Sequence, residues 1–373
     1  MDRVNITIIG AGVIGLAIAA ELSMDFEDIL VIERHDDFGR EISSRNSEVI
    51  HSGIYYPTGS LKGVLCIEGA ALLYRYCEEH SIAHQRIGKL IVATTESEVE
   101  PLEELYRRGK LNGVMDMVML QGNEVARMEG NVNAVAAILS PSTGIIDSHG
   151  LMKRLFTVAQ GRGVTVSFNE EVVSIEQQSE GYVVGIRSEG YRFLSRVVIN
   201  AAGLGSDQVA AMIGIAVDPA CYRLRYCKGS YFSYAGRSPV QRLIYPVPEK
   251  DLKGLGVHAT LDLAGRLRFG PDTEYVDAID YTVDDSKRDR FYEGACKIIR
   301  GIDKDALVAD MAGVRPKIKG EGVQDFLIRH ENKRGLEGFI NLVGIESPGL
   351  TACLAIASRV GKFVDDISIA KKV

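Results

Sequence analysis

A short β-branched run, Val4 to Ile9, opens the apolar pattern of the chain, followed by helical spacing from Val13 to Met24 and a second strand-like run, Ile29 to Glu33. That order predicts a strand–helix–strand unit and an α/β beginning to the fold. Ser60 stands where an N-cap would start a helix reaching about His80. A further helix is expected from Glu96 to Asn112, closed by Gly113, with a strand from Gly88 to Thr94 between the two.

Farther on, His149 to Ala159 has helical spacing, and Val164 to Phe168 and Val172 to Glu176 look like strands. A hairpin of Tyr182 to Arg187 and Tyr191 to Leu194 turns at Ser188-Glu189-Gly190 and feeds the buried run Val197 to Ala201. A β-branched run ending in Asn200-Ala201-Ala202-Gly203 fits a parallel strand whose carboxyl end approaches a ligand. From Tyr222 to Phe269 short strands and turns predict an antiparallel sheet, including a hairpin at Ala264-Gly265. Phe339 to Val343 and Pro348 to Val364 supply a last strand and helix, apolar enough to pack on the first strand–helix–strand unit.

With 373 residues, two domains are expected rather than one core. No repeat or Pro-rich linker separates them, so they are expected to interleave: 1–82, 146–220 and 306–373 in one, 83–145 and 221–305 in the other. Ile6 to Ala20 is apolar enough for a signal-peptide core, but its glycines have nucleotide-loop spacing and no cleavage site follows, so it is expected to be retained. The absence of a run of 18 apolar residues argues against a membrane span, and peripheral contact with a membrane surface is compatible with the sequence.

Apolar residues make up 46% and charged residues 25%, the balance of a globular protein, and a net charge of −7 without a basic stripe argues against a nucleic-acid partner. Arg107-Arg108 and Lys371-Lys372 are expected on the solvated surface. The cysteines (Cys66, Cys77, Cys221, Cys227, Cys296, Cys353) lie in mostly apolar or helical contexts without CxxC or zinc spacing, which predicts buried free thiols and a cytoplasmic setting. His80 and His84 straddle a helix end without a third ligand nearby, and no metal site is expected.

Gly10, Gly12 and Gly15 form GxGxxG between strand and helix, and Glu33 ends the next strand at the offset of an acid that binds ribose. The glycines serve the tight turn, close approach to a pyrophosphate and close helix packing, while the helix N-terminus attracts phosphate. A carboxylate at Glu33 repels a 2′-phosphate, which disfavours NADP. NAD and FAD both fit the loop.

The segment from Ser44-Arg45-Asn46-Ser47-Glu48-Val49-Ile50-His51 through Ser52-Gly53-Ile54-Tyr55-Tyr56-Pro57 resembles that of FAD-dependent oxidoreductases of the D-amino-acid oxidase fold, in particular L-2-hydroxyglutarate dehydrogenases and oxidases. The resemblance continues through Leu61-Lys62, Cys66, Glu68 to Leu72, Gly88 to Ala93, Tyr245 to Pro248, Gly256-Val257-His258 and Gly270-Pro271. Arg45 and Glu48 depart from the histidine and glycine usual in the family. The loop Glu346 to Thr351 also departs, and Gly313-Val314-Arg315-Pro316 is closer to the amino-acid oxidase pattern.

The resemblance implies an α/β fold with a Rossmann-like FAD-binding domain interleaved with an antiparallel-sheet α+β substrate domain. FAD would lie extended, with the loop Gly10, Gly12, Val13, Ile14 and Gly15, then Glu33 and Arg34, at the nucleotide. Val172 would lie near adenine, and Ser43, Ser44, Arg45, Asn46 and Ser47 beside the pyrophosphate and ring. Ala201, Ala202, Gly203, Gly313 and the helix opening at Ser347, Pro348, Gly349, Leu350 and Thr351 complete the expected cofactor set. Pro348 suits a first helical turn. If that N-terminus points at the ring's N1 and O2, its donors would stabilise negative charge on the reduced ring.

Oxidising an alcohol to a ketone requires a hydride acceptor, a base and a clamp. His51 is the candidate base, since imidazole titrates near neutrality, although a loop histidine held by hydrogen bonds would look the same. Arg315 is the candidate carboxylate clamp: its guanidinium forks onto two oxygens, and Pro316 biases it toward an extended strand end. A surface salt bridge is the plain alternative. His258 fits a second substrate contact, an alternative base or a core histidine, and Tyr55 and Tyr56 could line the cavity or simply pack. A small carboxylate, most simply L-2-hydroxyglutarate oxidised to 2-oxoglutarate, is the expected substrate. An amino-acid (amine) oxidase and a noncatalytic FAD-binding assembly protein are the rivals. Oxygen, a quinone and a carrier protein are all compatible electron acceptors.

Overall fold

A computed structural model describes residues 1–248, 256–367 and 372. Of the two terminal lysines, Lys371 lies outside the described residues. By their contacts the described residues form two units. The first comprises 1–44, 148–225 and 315–373, the second 45–147 and 226–314.

The first unit is built on an eight-stranded sheet. Its centre is Arg3–Ile9, flanked in parallel by Ile29–Ile32 and Arg192–Asn200, with Thr165–Ser167 parallel to the far side of Ile29–Ile32. The second arm of the predicted hairpin and the run after it are one strand, Arg192–Asn200: residues 192–195 pair antiparallel with Gly181–Ile186, while residues 198–200 pair parallel with Phe339–Val343. The helix Val13–Leu22 is buried on nearly every face. A sequence apolar all round requires cover on all sides, and the helices Ser148–Gly161 and Gly349–Asp365 supply it.

The second unit carries a nine-stranded sheet that includes Glu274–Val276, Leu224–Tyr234, Leu267–Phe269, Ala259–Leu261, Leu243–Pro246, Lys89–Ala93, Ala136–Ser140 and Val118–Gln121 in that order. It is not wholly antiparallel, because Leu243–Pro246 runs parallel to Lys89–Ala93. Leu90, Val92, Phe232, Phe269 and Phe291, all fully buried, form its core with Tyr245. Leu224–Tyr234 is one long strand where short ones were expected. Leu307–Ile318, which pairs with it, was not foreseen.

Residues 45–82, assigned from sequence to the nucleotide domain, group with the second unit. Val49–Ile50 pairs with Gly144–Ile146, Tyr74 Oη donates to the Ser142 carbonyl, and Asn112 Nδ2 donates to the carbonyls of Gly53 and Tyr56. The helix Leu61–Glu79 starts at the predicted cap, where Ser60 Oγ accepts from the Gly63 N–H at 3.1 Å. None of the six cysteines is in a disulfide, but Cys221 is exposed rather than buried, in a turn where its φ is +59°. Among the described residues no helix is long and apolar enough to cross a membrane.

Candidate active site

In the first unit the glycine loop is shaped by what a side chain would strike. Gly10 has φ +104°, and a Cβ there would lie 2.6 Å from the Ala201 carbonyl oxygen; at Gly15 it would lie 1.9 Å from the carbonyl oxygen of Gly10. Both neighbours are backbone and cannot swing aside. Ser43 Oγ accepts from the Val13 N–H at 2.9 Å, tying the helix start to the segment that precedes Arg45. The first turn of the last helix lies against the same loop, since a Cβ at Gly349 would sit 4.0 Å from Ile14 Cδ1.

Glu33 is buried, and each oxygen accepts one backbone N–H: Ala11 at 2.8 Å and His35 at 2.9 Å. Sequence suggested only a ribose acceptor. The carboxylate also pins the glycine loop to the strand end, and its remaining lone pairs stay available to hydroxyls. Glu33 N–H donates to Ser167 O and its carbonyl accepts from Glu170 N–H, which brings the segment leading to buried Val172 alongside. Arg34 pairs with Glu41, and Ser44 Oγ donates to the Glu41 carbonyl.

A buried polar chain that the sequence did not reveal supports the Ala201-Ala202-Gly203 turn. Asn200 Oδ1 accepts from the Ala202 N–H, and Asn200 Nδ2 donates to Asn341 Oδ1 at 2.7 Å. Asn341 Nδ2 in turn donates to Glu331 Oε1, which also receives Tyr222 Oη at 2.6 Å. Pro348 immediately precedes the helix Gly349–Asp365 as expected, and Thr351 is fully buried in its first turn. Bare backbone at Gly10 and Gly15, a helix start facing the loop and a buried acid at a strand end together fit a dinucleotide.

In the second unit, Gly313 must lack a side chain because a Cβ would meet the Arg45 carbonyl oxygen at 2.2 Å. Arg45 lays its guanidinium 4.1 Å from the Tyr281 ring centre. Asn46 Oδ1 accepts from the Glu48 N–H, and Glu48 has φ +54°, a conformation that glycine adopts without strain. Ser47 Oγ bonds Tyr231 Oη at 2.9 Å.

His51 follows the strand Val49–Ile50, and its carbonyl accepts from Cys66 Sγ. Burial, reinforced by the nearby Lys89 charge, pushes its imidazole down to about 3. Lys89 starts the strand Lys89–Ala93 and is 1% exposed. Its Nζ lies 4.7 Å from the Tyr55 ring centre and 5.0 Å from that of Tyr245. Burial lowers its ammonium to about 7, although Cys66 works the other way. The Tyr245 ring stacks on buried His258, centroids 3.6 Å apart and planes 12° apart.

His51, Lys89, Tyr55, Tyr245 and His258 therefore belong to one neighbourhood of the second unit. Tyr56 enters it through its backbone, held by Asn112. Arg315 belongs to the first unit and lies inside the strand Leu307–Ile318, not at a strand end as Pro316 had suggested. Lys89 was the residue the sequence reading passed over. A lone lysine opening the apolar run Leu90-Ile91-Val92-Ala93 was the available signal.

The protein family described as FAD dependent oxidoreductase (DAO) matches residues 5–362. The chain belongs to this family. The FAD-dependent oxidoreductase is 38% identical to the mitochondrial L-2-hydroxyglutarate dehydrogenase of Arabidopsis thaliana, over 96% of this chain and 83% of that one. It is 32% identical to a glycerol 3-phosphate dehydrogenase of Caloramator mitchellensis, over 99% of this chain and 75% of that one. Among solved structures it is similar to the dithionite-reduced, FAD-bound L-α-glycerophosphate oxidase of Mycoplasma pneumoniae, with TM-score 0.88, 28% identity and coverage of 98% and 95%. The glycine oxidase of Geobacillus kaustophilus shares the fold at TM-score 0.81 and 22% identity, covering 100% and 97%. The α/β fold class and the FAD dependence expected from sequence both hold.

Proposed function

We propose that this FAD-dependent oxidoreductase oxidises the alcohol of an L-2-hydroxy acid, with L-2-hydroxyglutarate going to 2-oxoglutarate. The observation that carries the reading is His51: an imidazole whose pKa lies near 3 is neutral throughout the physiological range, so its lone pair is ready to take a hydroxyl proton. An anionic substrate beside it raises its proton affinity toward the useful range. The Arabidopsis relative supports the substrate assignment. Arg315 holds the α-carboxylate through its guanidinium fork, and His258, fixed by stacking on Tyr245, is a second contact.

In this reading the glycine loop and the residues named with it bind FAD. Gly10, Gly12, Val13, Ile14 and Gly15 hold the pyrophosphate, Glu33 and Arg34 the ribose side, and Val172 the adenine. Ser44 to Ser47, Ala201 to Gly203, Gly313 and Ser347 to Thr351 complete the cofactor set. Bound FAD supplies a two-electron acceptor. The second unit supplies the proton acceptor and the substrate wall. Oxygen, a quinone and a carrier protein are each compatible as the final electron acceptor.

A second reading, oxidation of the secondary alcohol of glycerol 3-phosphate, is favoured by the Caloramator relative and the Mycoplasma structure. Anaerobic mixing of the yellow holoenzyme with each compound separates the two. L-2-hydroxyglutarate is expected to bleach the long-wavelength flavin band. Bleaching by glycerol 3-phosphate alone supports the second reading, and by amino acids alone an amine oxidase. A flavin that chemical reductants bleach but no substrate does indicates a noncatalytic flavoprotein.

A further inference from the structure

Lys89 is costly where it stands. An ammonium removed from water is tolerated when a carboxylate or several acceptors surround it, and replacing one partner of such a pair leaves a penalty of several kcal/mol. Among the described residues Lys89 has neither ion pair nor hydrogen bond, only the faces of Tyr55 and Tyr245. Tyr55 Oη, also buried, has no hydrogen-bond partner either. Two buried donors thus lie in one neighbourhood without an acceptor between them, whereas the buried groups of Glu33, Asn200 and Glu331 are satisfied by backbone or side chains. Native structures keep such groups where they serve a ligand or a reaction.

The missing partner has a definite chemistry. Three ammonium hydrogens and a phenol hydrogen call for a ligand that only accepts, which means a carboxylate, phosphate or phosphonate rather than an amide or a hydroxyl. The aromatic walls hold the amine in place without an acceptor of their own, so an arriving anion is free to draw it into its ammonium form. Lys89 is a different cation from the one proposed for the α-carboxylate.

We infer that Lys89, assisted by the Tyr55 hydroxyl, is the receptor for a second acidic group of the substrate, so that the enzyme is built for dianionic hydroxy compounds and discriminates against monoacids. This rests on the proposed oxidation of a small acid, and names what lies at the end of that acid remote from the reacting carbon. A lysine that titrates near 7 in the free protein will take up a proton when the anion arrives, because an opposite charge favours its ammonium form. Binding of a diacid at pH 8 should thus carry a proton uptake that binding of a monoacid lacks.

The test uses the FAD-loaded enzyme and acids that cannot be oxidised. Dissociation constants of glutarate and of pentanoate, the monoacid of equal length, are read from perturbation of the flavin spectrum and by calorimetry in buffers of different ionisation heat. Wild type should prefer glutarate by roughly 100-fold, the size of a buried charge-assisted contact. Lys89→Met, matched in length and apolar, should bring that ratio close to unity with pentanoate binding unchanged. It should also abolish the extra proton uptake and raise the melting temperature, since a buried charge is gone. Tyr55→Phe should weaken glutarate about 5- to 10-fold and leave pentanoate alone.

Adding 3-phosphonopropionate distinguishes the acid: tighter binding than glutarate assigns the receptor to phosphate-like groups, weaker binding to carboxylates. Unchanged glutarate affinity in Lys89→Met, or equal weakening of glutarate and pentanoate, overturns the inference. The oxidation reading fails separately. If no hydroxy acid bleaches the flavin yet the Lys89-dependent preference is present, the receptor stands and the reaction does not. Turnover of L-2-hydroxyglutarate with Lys89-independent affinity leaves the reaction and removes the receptor.

Discussion

Glu331 is 3% exposed and is the hub on which the Ala201-Ala202-Gly203 turn depends, so Glu331→Ala should damage stability and cofactor binding together. The carboxylate accepts from Tyr222 Oη at 2.6 Å, Asn341 Nδ2 at 2.9 Å and Arg334 Nε at 3.0 Å. Truncation leaves the hydroxyl of Tyr222, itself fully buried, and the amide of Asn341 without their acceptor. Each buried donor so stranded costs about 1–3 kcal/mol. Arg334 is about two-fifths exposed and can turn to water, so its pair adds little. The sum is a loss of about 2–6 kcal/mol, a large part of the stability of an ordinary protein. Glu331→Gln keeps the volume and one acceptor and should lose less.

Denaturant unfolding of the FAD-free protein measures the first effect, and fluorescence titration of FAD the second. Once Asn341 can turn, Asn200 loses its fixed partner, and the Ala202 N–H loses a fixed acceptor beside Gly10. FAD affinity should therefore fall further than global stability alone would require. A Glu331→Ala protein within about 1 kcal/mol of wild type would refute the burial argument, by the magnitudes just given. A strongly destabilised protein with normal FAD affinity would confine the network to folding and break its link to the turn.

Gly15→Ala should give a protein that purifies colourless or fails to fold, because the new Cβ would sit 1.9 Å from a backbone oxygen; a yellow protein of normal FAD content contradicts this reading of the loop. His51→Asn should keep its FAD and lose about 10²–10⁴-fold in the rate of flavin reduction by the alcohol, measured by anaerobic stopped flow, and an unchanged rate would exclude His51 as the base. Lys89 falls from an ordinary 10.5 to about 7 on folding, so between those values the unfolded chain binds the extra proton and stability rises with pH; the gain is lost as pH falls toward 7. Denaturation midpoints across that window should climb with pH in wild type and flatten in Lys89→Met. His51, lowered from 6.5 to about 3, adds a second rise between those values that His51→Asn should remove.

Local features were legible in the sequence because their causes are local. The glycine loop, the Ser60 cap and the helix after Pro348 each follow from residues within a turn or two, and the structure has them where the pattern put them. What the sequence concealed was decided by partners far along the chain. Residues 45–82 looked continuous with the nucleotide unit, and only the pairing of Val49–Ile50 with Gly144–Ile146 reassigns them. Leu307–Ile318 alternates too weakly to be read as a strand until its neighbour Leu224–Tyr234 is known. Lys89 had no role of its own in the sequence pattern. Its burial comes from Tyr55 and Tyr245, which no local pattern brings to it.

In synthesis the helix Val13–Leu22, apolar on every side, appears well before Gly349–Asp365, one of the two helices that cover it. Until then a greasy cylinder with nowhere to hide is exposed in the nascent chain, and unpaired strands of the same sheet wait beside it for Phe339–Val343. A chain assembled in this order exposes apolar surface while it is made, and slowing elongation between Ser148–Gly161 and Gly349–Asp365 should cost more yield than slowing it after Gly349–Asp365.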